Sequence, residues 1–124
     1  MEHINTEEKF ETIFHRKGWG GEIWIVNSLK YCGKILVFNE SKRCSWHYHK
    51  NKTETFHILE GSVQILTSKD NDLSSAESNQ LSEGESLHIP VELRHQIIAL
   101  ANSRILEIST FHSEEDSYRL VKGD

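Results

Sequence analysis

The chain has 124 residues, 36% apolar and 27% charged, with 14 basic and 19 acidic side chains for a formal charge of −5. Such a chain suits one modest globular core, and its acidic balance argues against a nucleic-acid footprint. No apolar run approaches the roughly 20 residues of a membrane helix. The opening residues, Met1 to Glu8, lack the basic and apolar stretches of a secretory signal, so the expected location is the cytoplasm. Cys32 and Cys44 then read as buried thiols.

In chain order, residues 5–14 predict one short helix, with Thr6 as its cap and Glu7 and Glu8 in its first turn. After the glycine-rich residues 18–21, strands follow: Glu22–Val26, Lys34–Phe38, Cys44–His49, Thr53–Leu59, Ser62–Thr67, Ser86–Ile89, His95–Leu100 and Arg104–Phe111. These segments are short, rich in β-branched and aromatic residues, and bounded by turn residues. No helical stripe lies between them, which favours an antiparallel sandwich or barrel over a parallel sheet. Glu60-Gly61 predicts a hairpin with Gly61 at positive φ. Residues 68–80 are polar except for Leu73 and Ala76 and predict an exposed connection.

The chemistry concentrates in residues 44–54. His47 and His49 are two apart, and on a strand such residues share a face. Glu54 opens the next strand and His95 a later one. Three imidazoles and one carboxylate form a mixed nitrogen–oxygen set suited to one divalent ion: zinc, manganese, iron, nickel or cobalt. By parity, Arg43 and Ser45 share the ligand face, Arg43 being either a solvated arginine at a barrel mouth or a substrate anchor. Phe56 shares Glu54's parity and reads as pocket wall or plain core, whereas His57 points away. His88 is no ligand on this reading, and His3, His15 and His112 read as surface histidines. Glu107 sits in the apolar run Ile105–Ile108, where a carboxylate should be paired or functional. Arg119 is a candidate partner for it. The run Glu114-Glu115-Asp116 reads as a solvated turn.

These spacings resemble the cupins. His47-x-His49, four residues, Glu54, six residues and Gly61 follow the first cupin motif, with Ser41 in place of its leading glycine. Gly84, five residues, Pro90 and His95 follow the second, with Glu92 and Ala99 replacing a glycine and an asparagine. The resemblance implies an all-β, antiparallel double-stranded β-helix (a jelly-roll barrel), here with the short N-terminal helix. It would form a single domain over residues 1–124, with the motifs in about 34–112. A narrower resemblance, over about residues 17–119, is to the C-terminal domain of type II mannose-6-phosphate isomerases. It rests on Trp19-Gly20, Lys34, Cys44 to His49, Glu54, Phe56, Ile89 to His95, Leu106-Glu107-Ile108 and Glu114 to Arg119. His47 departs from it, standing where those isomerases carry glutamine.

The resemblance implies a metal-dependent sugar isomerase or epimerase working through an enediolate. A divalent ion would bind adjacent substrate oxygens, and Lys34, Glu107 or Glu54 would move the proton. Arg43, Ser45, Lys52, Phe56, Arg94 and Arg119 would line or anchor a small sugar or sugar derivative. The alternatives are another metal-dependent cupin enzyme, such as a dioxygenase, or a sugar-binding module. A homodimer is expected, joined through the N-terminal segment or first strands, because exposed sheet edges and a modest core favour pairing. No nucleic-acid or membrane partner is expected.

Overall fold

A computed structural model describes residues 7–124. Among them are strands β1 (Ile13–Lys17), β2 (Gly20–Asn27), β3 (Cys32–Phe38), β4 (Trp46–Tyr48), β5 (Glu54–Glu60), β6 (Ser62–Ser68), β7 (Glu77–Ser82), β8 (Ser86–Ile89), β9 (Arg94–Ala99), β10 (Ser103–Ser109) and β11 (Tyr118–Val121). Two antiparallel sheets face each other, one of order β1-β2-β3-β10-β5-β8 and the other β11-β4-β9-β6-β7. Single 3-10 turns occupy Leu73–Ser75 and Glu114–Asp116.

Alternation along the strands sets the interior. On β3 the inward positions are Cys32, Lys34, Leu36 and Phe38; on β10 they are Ser103, Ile105, Glu107 and Ser109; on β5 they are Glu54, Phe56 and Ile58. Register pairs Leu36 with Ile105 and Lys34 with Glu107, so one end of the barrel is apolar and the other polar. Trp19 stacks on Phe38 at 4.1 Å between centroids, and Phe56, Ile58, Val63, Ile65, Ile97 and Ile105 complete the dry end.

Several expectations are corrected. Residues 7–12 form no helix, and Ile13–Lys17 pair with β2 as an edge strand. A short helix packed on nothing is marginal in water, whereas the edge of β2 supplies a full hydrogen-bond ladder. The proposed Thr6 cap lies outside the described residues. The connection over 68–80 is only half loop, because β7 pairs with β6 from Glu77 onward. Its polar side chains suit an edge strand that needs no second buried face. Gly61 does have positive φ, at 91°, but its turn is no hairpin. β5 and β6 lie in different sheets, and a Cβ at Gly61 would collide with Ser103 and Asn102 where the chain crosses between them. β1 and β11 escaped the sequence reading.

Candidate metal centre

His47 on β4 and His95 on β9 are cross-strand partners, and His49 follows the last residue of β4. Their rings lie 4.4 to 5.6 Å apart, with side-chain nitrogens close enough to share one ion. Each Nδ1 faces a backbone carbonyl: His47 on Ser45 at 2.9 Å, His49 on Asp116 at 3.0 Å and His95 on Leu93 at 2.9 Å. A carbonyl only accepts, so each Nδ1 donates, and in the neutral ring Nε2 then carries the lone pair that can take a ligand. Burial, then the neighbouring His95 and His49, hold the His47 pKa well below the usual histidine range, which keeps that ring neutral.

Glu54 completes the set. Its Oε2 lies 3.1 Å from His95 Nε2 and 3.4 Å from His49 Nε2. Glu54 Oε2 and His95 Nε2 are both buried and have no hydrogen-bond partner among the described residues. Two acceptors facing each other in a dry site repel unless a cation sits between them. This donor set fits a divalent ion, with His47, His49, His95 and Glu54 to hold it.

The other side of the site is a charge network. Lys52 is buried, and its Nζ lies 3.0 Å from Glu107 Oε2, 3.4 Å from Glu54 Oε1 and 3.0 Å from His112 Nδ1. Burial alone would lower the Lys52 pKa, but Glu107 and Glu54 outweigh it and raise it. Burial would likewise raise Glu54, but the Lys52 ammonium wins and holds it well below the carboxylate range. Lys34, also buried, reaches Glu22 Oε1 at 3.4 Å and lies 4.3 Å over the Trp24 ring. Burial works against the Glu22 charge, yet Lys34 and the Trp24 N–H keep its pKa lowered.

These groups line a cavity of about 290 Å³. The structure brings Lys34, Ser45, His47, His49, Lys52, Glu54, Phe56, Glu107 and Arg119 together there. His95 lies buried behind it, against the other imidazoles. Ser45 Oγ is 3.1 Å from His47 Nδ1. Arg119 lies at the rim, 3.4 Å from Glu114, so the partner of Glu107 is Lys52 instead. Lys52, expected to hold substrate, is an interior ion-pair hub.

Arg43 and Arg94 lie outside the cavity. Arg43 is exposed; its backbone forms an isolated bridge to Ile98 and exchanges hydrogen bonds with Asp124, and the break before β4 ends the parity argument that placed it inside. Arg94 alternates with inward His95, and its guanidinium lies 3.8 Å from the Tyr48 ring and donates to Asn71 Oδ1.

Three residues of the site lie outside what the sequence leads one to expect. His112, taken for a surface residue, is buried against Lys52 and in edge contact with Trp24. Asp116, taken for part of a solvated turn, is buried, while Glu114 and Glu115 are exposed. Glu22 went unnoticed, although an inward Lys34 needs a carboxylate partner. His57 points away as expected and bonds Ser86. Both cysteines are buried and unpaired, and burial raises the Cys44 pKa to about 12.

Fold and site together define a double-sheet β-barrel with an imidazole–carboxylate cluster at its polar end that could hold a metal ion. The family model described as Cupin matches residues 25–122, and the chain belongs to that family. Among solved structures it is similar to the capsular polysaccharide assembling protein CapF from Staphylococcus aureus (18% identity, TM-score 0.75, 91% of this chain and 33% of that one). It is similar to KdgF from Halomonas sp. (12%, TM-score 0.70, 83% and 91%). It is also similar to Bacillus subtilis oxalate decarboxylase, described with Mn(II) centres (19%, TM-score 0.77, 95% and 34%). The chain thus spans about a third of CapF and of oxalate decarboxylase. Comparison with curated proteins finds no match. Among the described residues no helix is long and apolar enough to cross a membrane.

Proposed function

We propose that the protein is a cytoplasmic, metal-dependent isomerase or epimerase of a sugar, sugar phosphate or activated sugar, working as a homodimer. The observation that carries this reading is Glu107, a buried carboxylate that lines the same cavity as the metal-ligand set. Lys52 and Ser109 hold its Oε2 at 3.0 and 3.3 Å, leaving Oε1 without a partner among the described residues. The motif likeness to mannose-6-phosphate isomerase domains supports the same chemistry.

A divalent ion in this centre supplies a Lewis acid for adjacent carbonyl and hydroxyl oxygens and for the charge that develops on them. Glu107 Oε1 takes the proton from the carbon beside the carbonyl and returns it on the same face to the neighbouring carbon; inversion at the first carbon would take its proton from a second group on the opposite face. Lys52 keeps the carboxylate in place. Lys34 and Ser45 offer donors to substrate hydroxyls, and Arg119 stands at the entrance.

The experiment is a panel of sugars, sugar phosphates and sugar nucleotides incubated without oxygen in deuterated water. Deuterium should enter a carbon next to a carbonyl, and Glu107→Gln should lower turnover by about 10²–10⁴-fold with metal content unchanged. Activity that needs oxygen would move the assignment to a dioxygenase, and binding without turnover to a sugar sensor. Light scattering tests the dimer; a concentration-independent monomer mass would refute it.

A further inference from the structure

Residues 49–53, between β4 and β5, form no regular structure, yet this loop ends on one metal ligand at each side, His49 and Glu54. An irregular segment holds ligands in place only if its own backbone is pinned. Here one buried side chain pins it. Asp116 Oδ1 accepts from the Lys50 N–H at 2.9 Å and the Asn51 N–H at 3.1 Å. Its Oδ2 accepts from the Asn51 N–H at 3.1 Å and the Lys52 N–H at 3.0 Å. Three successive amides thus converge on one carboxylate, a nest filled by a side chain from 64 to 66 residues downstream. The same residue's carbonyl oxygen takes the His49 Nδ1 proton at 3.0 Å. One residue therefore fixes both the imidazole and the backbone that runs on from it.

We propose that Asp116 is the positioning residue of the metal centre. Through its carboxylate it holds the loop that sets His49 against Glu54, and through its carbonyl it holds His49 with Nδ1 protonated and Nε2 facing the site. This inference rests on the same imidazole–carboxylate centre as the proposed function. Hydrogen bonds to a carboxylate are charge-assisted, so removing the charge weakens all three amide contacts together. Asp116→Asn is the sharp variant, since its amide nitrogen must face backbone N–H donors. Asp116→Ala removes the acceptor outright.

Zinc affinity, measured by competition with a chelating dye, should fall about 10–100-fold in both variants. Imidazole nitrogen NMR on chelator-treated protein gives a second readout, independent of metal. Wild-type His49 should be protonated at Nδ1. Both variants keep the residue-116 carbonyl, but the released loop should carry His49 away from it, so that His49 mixes tautomers while His47 and His95, bonded to other carbonyls, keep theirs. Ser103→Ala is the control for lost stability. Ser103 is buried at the far end of β10, where it bonds Ser62 and Ala101, and its loss should lower Tm but leave zinc affinity within about twofold of wild type. The proposal is overturned if wild-type His49 is protonated at Nε2, or if both variants hold zinc within twofold with the tautomer unchanged. It is equally overturned if Ser103→Ala loses as much affinity as Asp116→Asn. If the wild type takes up no zinc, the metal reading falls, and the His49 tautomer still decides the role of Asp116.

Discussion

The cavity has two walls of opposite chemistry. The five-stranded sheet and the loop after β4 contribute three imidazoles, each with its Nδ1 bound to a carbonyl and its Nε2 turned toward the site. The six-stranded sheet contributes a row that crosses neighbouring strands in register, Trp24 on β2, Lys34 on β3, Glu107 on β10 and Phe56 on β5, with the charged pair Lys34 and Glu107 flanked by aromatic rings. On the imidazole wall Glu54 Oε2 and His95 Nε2 have no hydrogen-bond partner among the described residues, a gap that a cation would fill. The charged wall supplies its own, since Lys34 meets Glu22, and Lys52 meets Glu107 and Glu54. Glu54 belongs to both, one oxygen toward the imidazoles and one toward Lys52. Burial thus leads to a ligand site where the charges are unbalanced and to a structural ion-pair network where they are balanced.

Removing one group from each wall should break this contrast in different ways. His95→Ala on the imidazole wall should lose more metal affinity than the ~10–100-fold typical of an outer partner, with the fold kept. Metal analysis after dialysis checks it, and full retention would remove His95 from the centre. On the charged wall, Lys52→Met should destabilise the protein by about 3–5 kcal/mol, because two buried carboxylates lose their counter-charge. Denaturant unfolding reads this directly; a loss below 1 kcal/mol would mean that water, rather than Lys52, compensates them.

His112 sharpens the comparison through pH. Burial first, then Lys52 and Lys34, push its pKa down from 6.5 to about 2. Below about pH 6.5 the unfolded chain therefore binds a proton that the folded chain refuses. Stability from this group is complete above that pH and declines as the pH falls toward 2. His112→Asn keeps an acceptor for Lys52 but does not titrate, so the stability–pH slope between pH 6 and 4 should shrink by about 1.4 kcal/mol per unit. An unchanged slope would show that His112 protonates in the folded state.

The smallest effects lie on the rim. Ser41 and Glu92 stand where the cupin motifs carry glycine, and both adopt positive φ, 68° and 67°. The turns have kept their left-handed geometry with residues that strain in it. Ser41→Gly and Glu92→Gly should each stabilise the fold by about 0.5–1 kcal/mol in denaturant unfolding, leaving the centre untouched.

Much of the site could be read in advance because strand geometry links spacing to direction. His47, His49, Glu54 and His95 were legible from two motifs, and the alternation that turned Phe56 inward turned His57 outward. The same rule misplaced Arg43, since alternation holds only within a continuous strand and β4 begins at Trp46. The N-terminal helix failed for another reason. Residues 5–14 carry local helix signals, but whether they find a sheet edge is settled by β2, a partner that no local window contains.

By itself, then, the amino-acid sequence determined the all-β class, the inward face of each continuous strand, the left-handed turn at Gly61 and the gathering of His47, His49, His95 and Glu54 in one cluster. These follow from side-chain period, backbone sterics and residue chemistry, which act over a few residues. Only the tertiary structure decided which sheet each strand joins, that Lys52 rather than Arg119 meets Glu107, and that His112 and Asp116 are buried parts of the site. Those choices join residues 55 to 66 positions apart. At such separations a buried charge selects whichever partner the packing brings within reach, and sequence spacing carries no record of that encounter.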